Sequence, residues 1–514
     1  MPYDYRPFPY SPPPGLTAPE PRHKVVIVGA GPIGLALAID LAGYGVPSVV
    51  LDDNNVVSAG SRAICWSKRS LEILDRLGVG QKCVDKGVIW QVGRTLHSAT
   101  EIWKFDLQPE PGHKMPAFVN LQQYYVEQYL VTRAMDFPDL IELRWKYKVT
   151  GISQTDHATL TVETPDGPYT LTADHVVACD GAKSRIRSLL GLDFDGELFE
   201  ERFLIADIEM AGDFPSERRF WFEPNFHPGQ SALLHKQPDN IYRIDLQLGW
   251  NADPEAERQP DRVIPRIEKA VGHRDFRLDW VSVYTFQCRR LARFVHAHII
   301  FAGDSAHIVS PFGARGGNGG LQDVDALGWR LAAVAKGADP AILNAYDRER
   351  QHGADENLTN SSRTTRFMSP APGAERLFRD AVLHLAARAP FARPLVNSGR
   401  LSLPCTYKLD APDDPTLPAS SRPGSVAPDA PIPQGWLIDH LGRVPLLLAI
   451  GQTAPQVAGL GTLTLAPTAD LQTRYLGTAP GALYLIRPDQ IVAARWQAAG
   501  PAAITKALTA LWQD

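Results

Sequence analysis

Cysteine is scarce in this chain, long apolar runs are missing, and neither sign of charge forms a block. The five cysteines among 514 residues, Cys65, Cys83, Cys179, Cys288 and Cys405, are odd in number, widely spaced and without a CxxC pair. That spacing excludes a disulfide-stapled scaffold or a zinc knuckle and points to a reducing, cytoplasmic setting. The longest apolar stretch, residues 25–39, is 15 residues long and is broken by Gly29, Gly31, Pro32 and Gly34. A bilayer span needs about 20 apolar residues, so no membrane partner is expected. Lys and Arg total 52 against 57 Asp and Glu, a formal net charge of −5, which excludes nucleic acid and anionic lipid as partners. Small molecules remain.

What is present is enough apolar residue, 44% of the chain, to bury about three domains. Residues 1–23 form a proline-dense extended arm in which Tyr3, Tyr5, Phe8 and Tyr10 can dock on a surface. Residue 24 opens a change of pattern: a buried strand (VVIVGA), a helix with Ile33, Leu37 and Leu41 four apart, and a strand ending VVLDD. This is a βαβ unit on a parallel sheet. A nucleotide-binding domain is therefore expected over 24–190, interrupted by an antiparallel sheet over 191–289 built from segments such as FLIADIEM, SALLHK, YRIDLQL and WVSVYTF. The nucleotide-binding domain and its helices resume over 290–398. A proline-rich stretch at 408–435 then separates a final domain, within 399–514.

Three motifs carry the chemistry. Gly29, Gly31 and Gly34 in GAGPIG follow a strand and open a helix, with Asp52 ending the next strand. The first glycine permits the turn, the second lets a pyrophosphate reach the backbone, the third allows helix and strand to approach, and Asp52 accepts from ribose hydroxyls. The second motif is a buried strand delivering Asp180 and Gly181, which alone reads as an ordinary turn. The third, HIIFAGDSAHIVSPFGARGGNGGLQDVDALGWRLA, runs from a strand into Gly303 and Asp304, then through Pro311, Gly316, Gly317 and Asn318 to a helix expected near Gly319. Asp304 is placed to bind a ribityl hydroxyl, and the helix N-terminus to stabilise negative charge on a reduced ring system by about 1 kcal/mol.

Together these motifs resemble the class A flavoprotein monooxygenases, the aromatic-ring hydroxylases, over most of the chain. The resemblance extends to Arg62 and to Gln123, four residues before Glu127, positions that touch flavin in such enzymes. It also extends to RPGSVAPDAPI and ALYLIRPDQIVAARW in the tail, which are similar to the thioredoxin-like C-terminal domain of the phenol and hydroxyphenylpropionate hydroxylase branch. One departure is ARGGN where the family often has GQGMN, with Arg315 and Gly317 in place of Gln and Met. The resemblance implies an α/β fold with a Rossmann-like FAD-binding domain, an inserted antiparallel-sheet substrate domain and a thioredoxin-like C-terminal domain. It implies FAD as cofactor, NADH or NADPH as a transient reductant, molecular oxygen and a small aromatic molecule as substrates, and a homodimer.

The expected activity is hydroxylation of a phenolic ring through a flavin C4a-hydroperoxide, which requires a dry pocket. Among His227, His235, Tyr242, Arg243 and Tyr284 of the inserted sheet, His235 and Tyr242 are the candidates for activating the substrate hydroxyl. His235 interrupts an apolar strand, and imidazole titrates nearest neutrality. Alternatives are a related flavin oxidase or epoxidase, or a non-catalytic flavin-binding sensor. No WxWxIP halogenase segment occurs. His296, His298 and His307 share no acidic or cysteine partner at ligand spacing, so no metal is expected. The GxSxG elbow of an esterase is missing around Ser305.

Overall fold

The computed structural model describes residues 3–212, 214–396 and 401–513. Its first sheet contains five parallel strands in the order Ile299–Phe301, Gly167–Ala178, His23–Val28, Ser48–Asp52 and Ile141–Trp145. Val, Ile and Leu fill these strands continuously because both faces are covered by helices. One contiguous core includes Val25 to Ile27, Leu35, Leu37, Val176, Val177, Ile300, Leu321 and Leu327. Register decides what this sheet can hold. Val28 lies opposite both Ala178 and Leu51, and Ala178 lies opposite Phe301. The carboxyl ends of four strands are therefore level, and the loops that follow them open on one side of the sheet.

The second sheet has eight strands, running from His307–Ile308 through Arg277–Arg290, Asp195–Glu209, Ile241–Gln247, Ser231–Lys236, Arg218–Phe222 and Val92–His97 to Thr100–Asp106. Two features differ from the sequence expectation. The strands at 92–106 join this sheet although they precede 191, and Arg218–Phe222 pairs with Val92–His97 in parallel. A hairpin's alternation shows that one of its faces is buried but not against which partner, so the recruitment is a tertiary decision. Alternation then divides the sheet. Leu204, Ala206, Tyr242, Ile244 and Leu246 face outward, onto Val263 and Ile267 of the helix Pro260–Val271. Phe203, Phe222 and Leu233 face inward, with Phe312 and Met368.

The long helix of the third motif begins at Gly316, three residues before the expected Gly319, and runs to Ala335. Glycine lowers helix propensity by about 1 kcal/mol per residue, which argues for a later start. Packing overrides it: a Cβ on Gly317 would stand 3.3 Å from the Trp66 ring. The C-terminal domain has a four-stranded mixed sheet in the order Gly461–Leu465, Leu446–Ile450, Ala482–Ile486 and Val492–Trp496. Only its first pair is parallel, and apolar clusters cover both faces. It docks through charge: Arg69 donates to Gln490 Oε1 at 2.7 Å and to the Asp489 carbonyl at 2.8 Å, and Arg487 pairs with Glu349 at 2.7 Å. The expected boundary at 398/399 lies outside the described residues. Among those described, no helix is long and apolar enough to cross a membrane.

Gly34 shows how closely the first helix must approach its strand, since a Cβ there would lie 1.9 Å from the Gly29 carbonyl oxygen. Gly34→Ala is expected to lower stability by about 3 kcal/mol, read as a fall in thermal midpoint or loss of soluble protein.

Candidate active site

The fingerprint loop lies at the level strand ends. Gly29 adopts φ +108°, and a Cβ on it would sit 2.4 Å from the Cys179 carbonyl oxygen, so only glycine lets the two strand ends close. Gly31 caps the helix Pro32–Gly43 and would meet nothing within 4 Å. Its surroundings are open where a phosphate would approach the free N–H groups of the first helical turn. Asp52 accepts from the Ala30 N–H at 2.7 Å and the Asn54 N–H at 2.8 Å. It thus braces the glycine loop as well as facing the crevice, and burial raises its carboxyl to about 6 against those two bonds.

The second and third motifs meet this loop. Asp180 accepts from the Ile186 N–H through Oδ2 while its Oδ1 is buried without a partner, and Gly181 opens on free space. Asp304 is exposed to the crevice although protein crowds round it, and that desolvation raises its carboxyl. Gly316 lies with Asp304 Oδ1 3.9 Å from its Cβ position. The first helical bond of the glycine-loop helix is Gly319 N–H to the Arg315 carbonyl. The N–H groups of Gly316, Gly317 and Asn318 therefore precede the ladder. An orphaned acidic oxygen, two uncovered glycines and an acid facing open space fit an FAD molecule lying across the three loops. Gly31, Asp52, Asp180, Asp304, Gly316 and Gly317 would hold it, while Gly29, Gly34 and Gly303 let the surrounding backbone close up. Pro311 starts a single 3-10 turn with Phe312 and Gly313 beside them.

Other expected residues also bond within the protein. Asn318 is buried, accepting from the Ser67 N–H at 2.9 Å and donating to the Cys65 carbonyl at 2.8 Å, so its side chain ties two segments together. Gln123 accepts from the Ala63 N–H and donates to Ser58 Oγ and Glu127 Oε1. Glu127 in turn accepts from the Ser58 N–H at 2.6 Å. This network shapes the loop that presents Arg62. That residue is left-handed at φ 40°, a cost of about 1–3 kcal/mol, and its carbonyl accepts from Arg243 at 2.5 Å. The arm completes the support: Tyr5 Oη accepts from the Gly60 N–H at 3.1 Å, and Phe8 stacks on Trp145.

The two catalytic candidates separate. His235 is on the inward face, 4% exposed, with Nδ1 3.9 Å from Cys65 Sγ. Burial, reinforced by Arg218 and Arg243, holds its imidazole well below the usual range and hence neutral. Tyr242 is on the outward face, packed against Phe214 and donating to the Gly212 carbonyl at 2.6 Å. The structure does not bring it to the crevice, because neighbouring strand positions point to opposite faces. The inward face also carries Asp207, which the sequence reading passed over. Burial raises its carboxyl to about 6, and an acid inside the apolar run FLIADIEM was the available signal.

Asp323 was missed too. At 0% exposure it accepts from the Gly303 N–H at 2.8 Å, from Arg350 Nε at 2.6 Å and lies 2.7 Å from His307 Nε2. Of the three histidines near one another in sequence, His307 is thus taken by a carboxylate, His296 contacts the Arg293 carbonyl and His298 the Asp174 carbonyl. Among the described residues no group of three ligating side chains could hold a metal.

A glycine-rich crevice at level strand ends, beside a second sheet of eight strands, defines a dinucleotide-binding protein of the flavoprotein type. The chain belongs to the FAD-binding domain family, whose model matches residues 22–361. It is 30% identical to a flavin-dependent monooxygenase of Mycobacteroides abscessus, over 90% of this chain and 95% of that one. It is also 30% identical to a 3-(3-hydroxy-phenyl)propionate/3-hydroxycinnamic acid hydroxylase of Burkholderia vietnamiensis, over 72% of this chain and 67% of the relative. The crystal structure of p-nitrophenol 4-monooxygenase from Pseudomonas putida is similar at 27% identity with a TM-score of 0.65, over 74% of this chain and 98% of that one. The monooxygenase PieE, solved with FAD and substrate, shares the fold at 20% identity with a TM-score of 0.79, covering 96% of this chain and 100% of that one. The family is that of class A flavin-dependent aromatic hydroxylases, with FAD as its cofactor.

Asp323 generates a pH prediction. Burial alone would raise its carboxyl, yet His307 and Arg350 hold it at about 2, below the usual value of about 3.9. A depressed acid contributes stability that is complete above about pH 4 and is lost as pH falls toward 2. Asp323→Asn is expected to lower unfolding free energy by about 3 kcal/mol near neutrality, with the deficit shrinking below pH 4 in denaturant titrations.

Proposed function

We propose that this enzyme consumes NADH or NADPH and one molecule of oxygen to hydroxylate a small phenolic or related aromatic ring held against the inner face of the second sheet. The observation that carries this is a cleft on the inner face of the sheet, walled by Phe105, Phe220, Phe222, Phe312 and Phe367, and Phe312 also belongs to the loop of the third motif. Aromatic walls favour an aromatic guest through offset and edge contacts, and they keep water from the reacting ring. The single dinucleotide fingerprint supports a nicotinamide that visits and leaves.

Bound FAD supplies hydride acceptance and oxygen activation, and the rest falls to the chain. His235, neutral and desolvated, accepts a hydrogen bond from the substrate hydroxyl and draws electron density into the ring. With Arg218 and Arg243 beside it, imidazolium is disfavoured, so the residue polarises the hydroxyl more than it stores its proton. Arg62 and Asp304 frame the crevice, and the Gln123, Glu127 and Ser58 network keeps Arg62 in place. A reading as oxidase, epoxidase or silent sensor draws on no comparable observation.

Holoenzyme is expected to be yellow and to oxidise NAD(P)H faster when a phenol is added, with oxygen-18 from O₂ entering the product. In His235→Ala the hydroxylation rate should fall by about 10²-fold while peroxide release rises. A fully coupled, fast variant removes His235 from the mechanism, and reductant consumption that no aromatic stimulates removes the hydroxylase reading.

A further inference from the structure

The proline-dense arm is bonded to the segment that joins Asp52 to Arg62, two residues placed at the FAD crevice, and it holds that segment near both ends. After Asp52, the Phe8 N–H donates to the Asn55 carbonyl at 2.7 Å, Asn55 Nδ2 donates to the Phe8 carbonyl at 2.9 Å, and the Phe8 ring stacks on Trp145 at 4.5 Å. Before Arg62, Tyr5 Oη accepts from the Gly60 N–H. Gly60 is itself left-handed at φ +76°, and a Cβ on it would stand 2.3 Å from the Trp280 ring, so the second sheet closes the other side of the turn. The body of the protein holds Ser58 through Glu127, the Ser61 carbonyl and the Ala63 N–H through Gln123, and the Arg62 carbonyl through Arg243. The arm holds Gly60 among them. Tyr3 fixes the arm in turn, packing on Tyr124 at 4.3 Å and donating to Gln128 Oε1 at 3.2 Å, on the helix that carries Gln123 and Glu127. Pro7 and Pro9 flank Phe8 with φ already fixed, which lowers the entropy lost when the arm lies extended.

Resting on the placement of Asp52 and Arg62 at the FAD crevice, we propose that the arm is a positioning element for the cofactor: Tyr5 and Phe8 hold residues 53–62 in the shape that meets FAD, and thereby set how slowly FAD leaves. They act through the backbone of that segment. Arg62 is left-handed at φ 40°, a conformation that persists only where its surroundings over-determine it. Each bond removed from the turn lets it relax, and affinity falls with the fraction of protein left in the binding shape. Coupling of this kind is reciprocal, so bound FAD must tighten the arm.

The test follows FAD release from holoenzyme by the recovery of flavin fluorescence. Tyr5→Phe keeps the ring and removes the acceptor of the Gly60 N–H, and FAD should leave about fivefold faster, the worth of one hydrogen bond. Phe8→Ala should also speed release, and Phe8→Trp, which still stacks on Trp145, should restore most of the retention. In Tyr5→Phe the FAD concentration for half-maximal NAD(P)H oxidation should rise by the same factor, with the maximal rate at saturating FAD within about twofold of wild type. Amide exchange over residues 3–11 should slow when FAD binds to the apoprotein. Arg62→Ala and Asp52→Ala are the controls for the placement itself. If they release FAD faster while Tyr5→Phe and Phe8→Ala do not, the arm has no such role and the placement stands. If neither control changes release, the placement falls and the inference with it. Faster release in the arm variants that excess FAD does not offset assigns Tyr5 and Phe8 to general stability and overturns the proposal.

Discussion

The carboxylate of Asp323 ties the crevice together. It has no exposure and joins the Gly303 N–H, His307 and Arg350. Gly303 begins the turn that carries Asp304, His307 follows it by four residues, and Arg350 reaches in from the neighbouring long helix. The helix, the turn and the neighbouring helix are thereby held to a single charge in a desolvated place, where losing one partner is expensive. Asp304 and the glycine-loop helix can face open space because their positions are settled elsewhere.

A similar logic governs the side of the crevice formed by the second sheet. Arg62 stays in a left-handed conformation because Arg243 holds its carbonyl, Gln123 holds the Ala63 N–H and Glu127 grips Ser58. Gln123, which the resemblance assigns to the flavin, also braces the backbone of the loop that carries Arg62. Many buried charges in this protein are paired, and others, such as Asp52 and Glu127, are held by neutral donors. Arg218 on the inner sheet face meets the Phe312 carbonyl and, among the described residues, no carboxylate within ion-pair distance.

Much of the fold was legible from period and punctuation. Gly29, Gly31 and Gly34 lie between a strand and a helix, and Asp52 ends the next strand, because backbone approach and phosphate binding demand those residue types locally. The third motif was legible for the same reason, although its helix starts at Gly316 once Trp66 packs across it. Less visible was the company each side chain keeps. His235 and Tyr242 looked equivalent in sequence, seven residues apart on adjacent strands, yet opposite facing puts one on the inner face beside Cys65 and the other in an outer core.

By itself the sequence determined the nucleotide-binding unit, the three loops that meet at its strand ends and the family to which the chain belongs, since these depend on short-range geometry that glycine, proline and aspartate encode within a few residues. Tertiary structure alone decided that strands at 92–106 join the second sheet, that Asp323 anchors the turn at Gly303, and that Arg218 lies unpaired among phenylalanines. Those outcomes depend on pairings across tens to hundreds of residues, where burial and counter-charge are properties of the assembled neighbourhood and of no single segment.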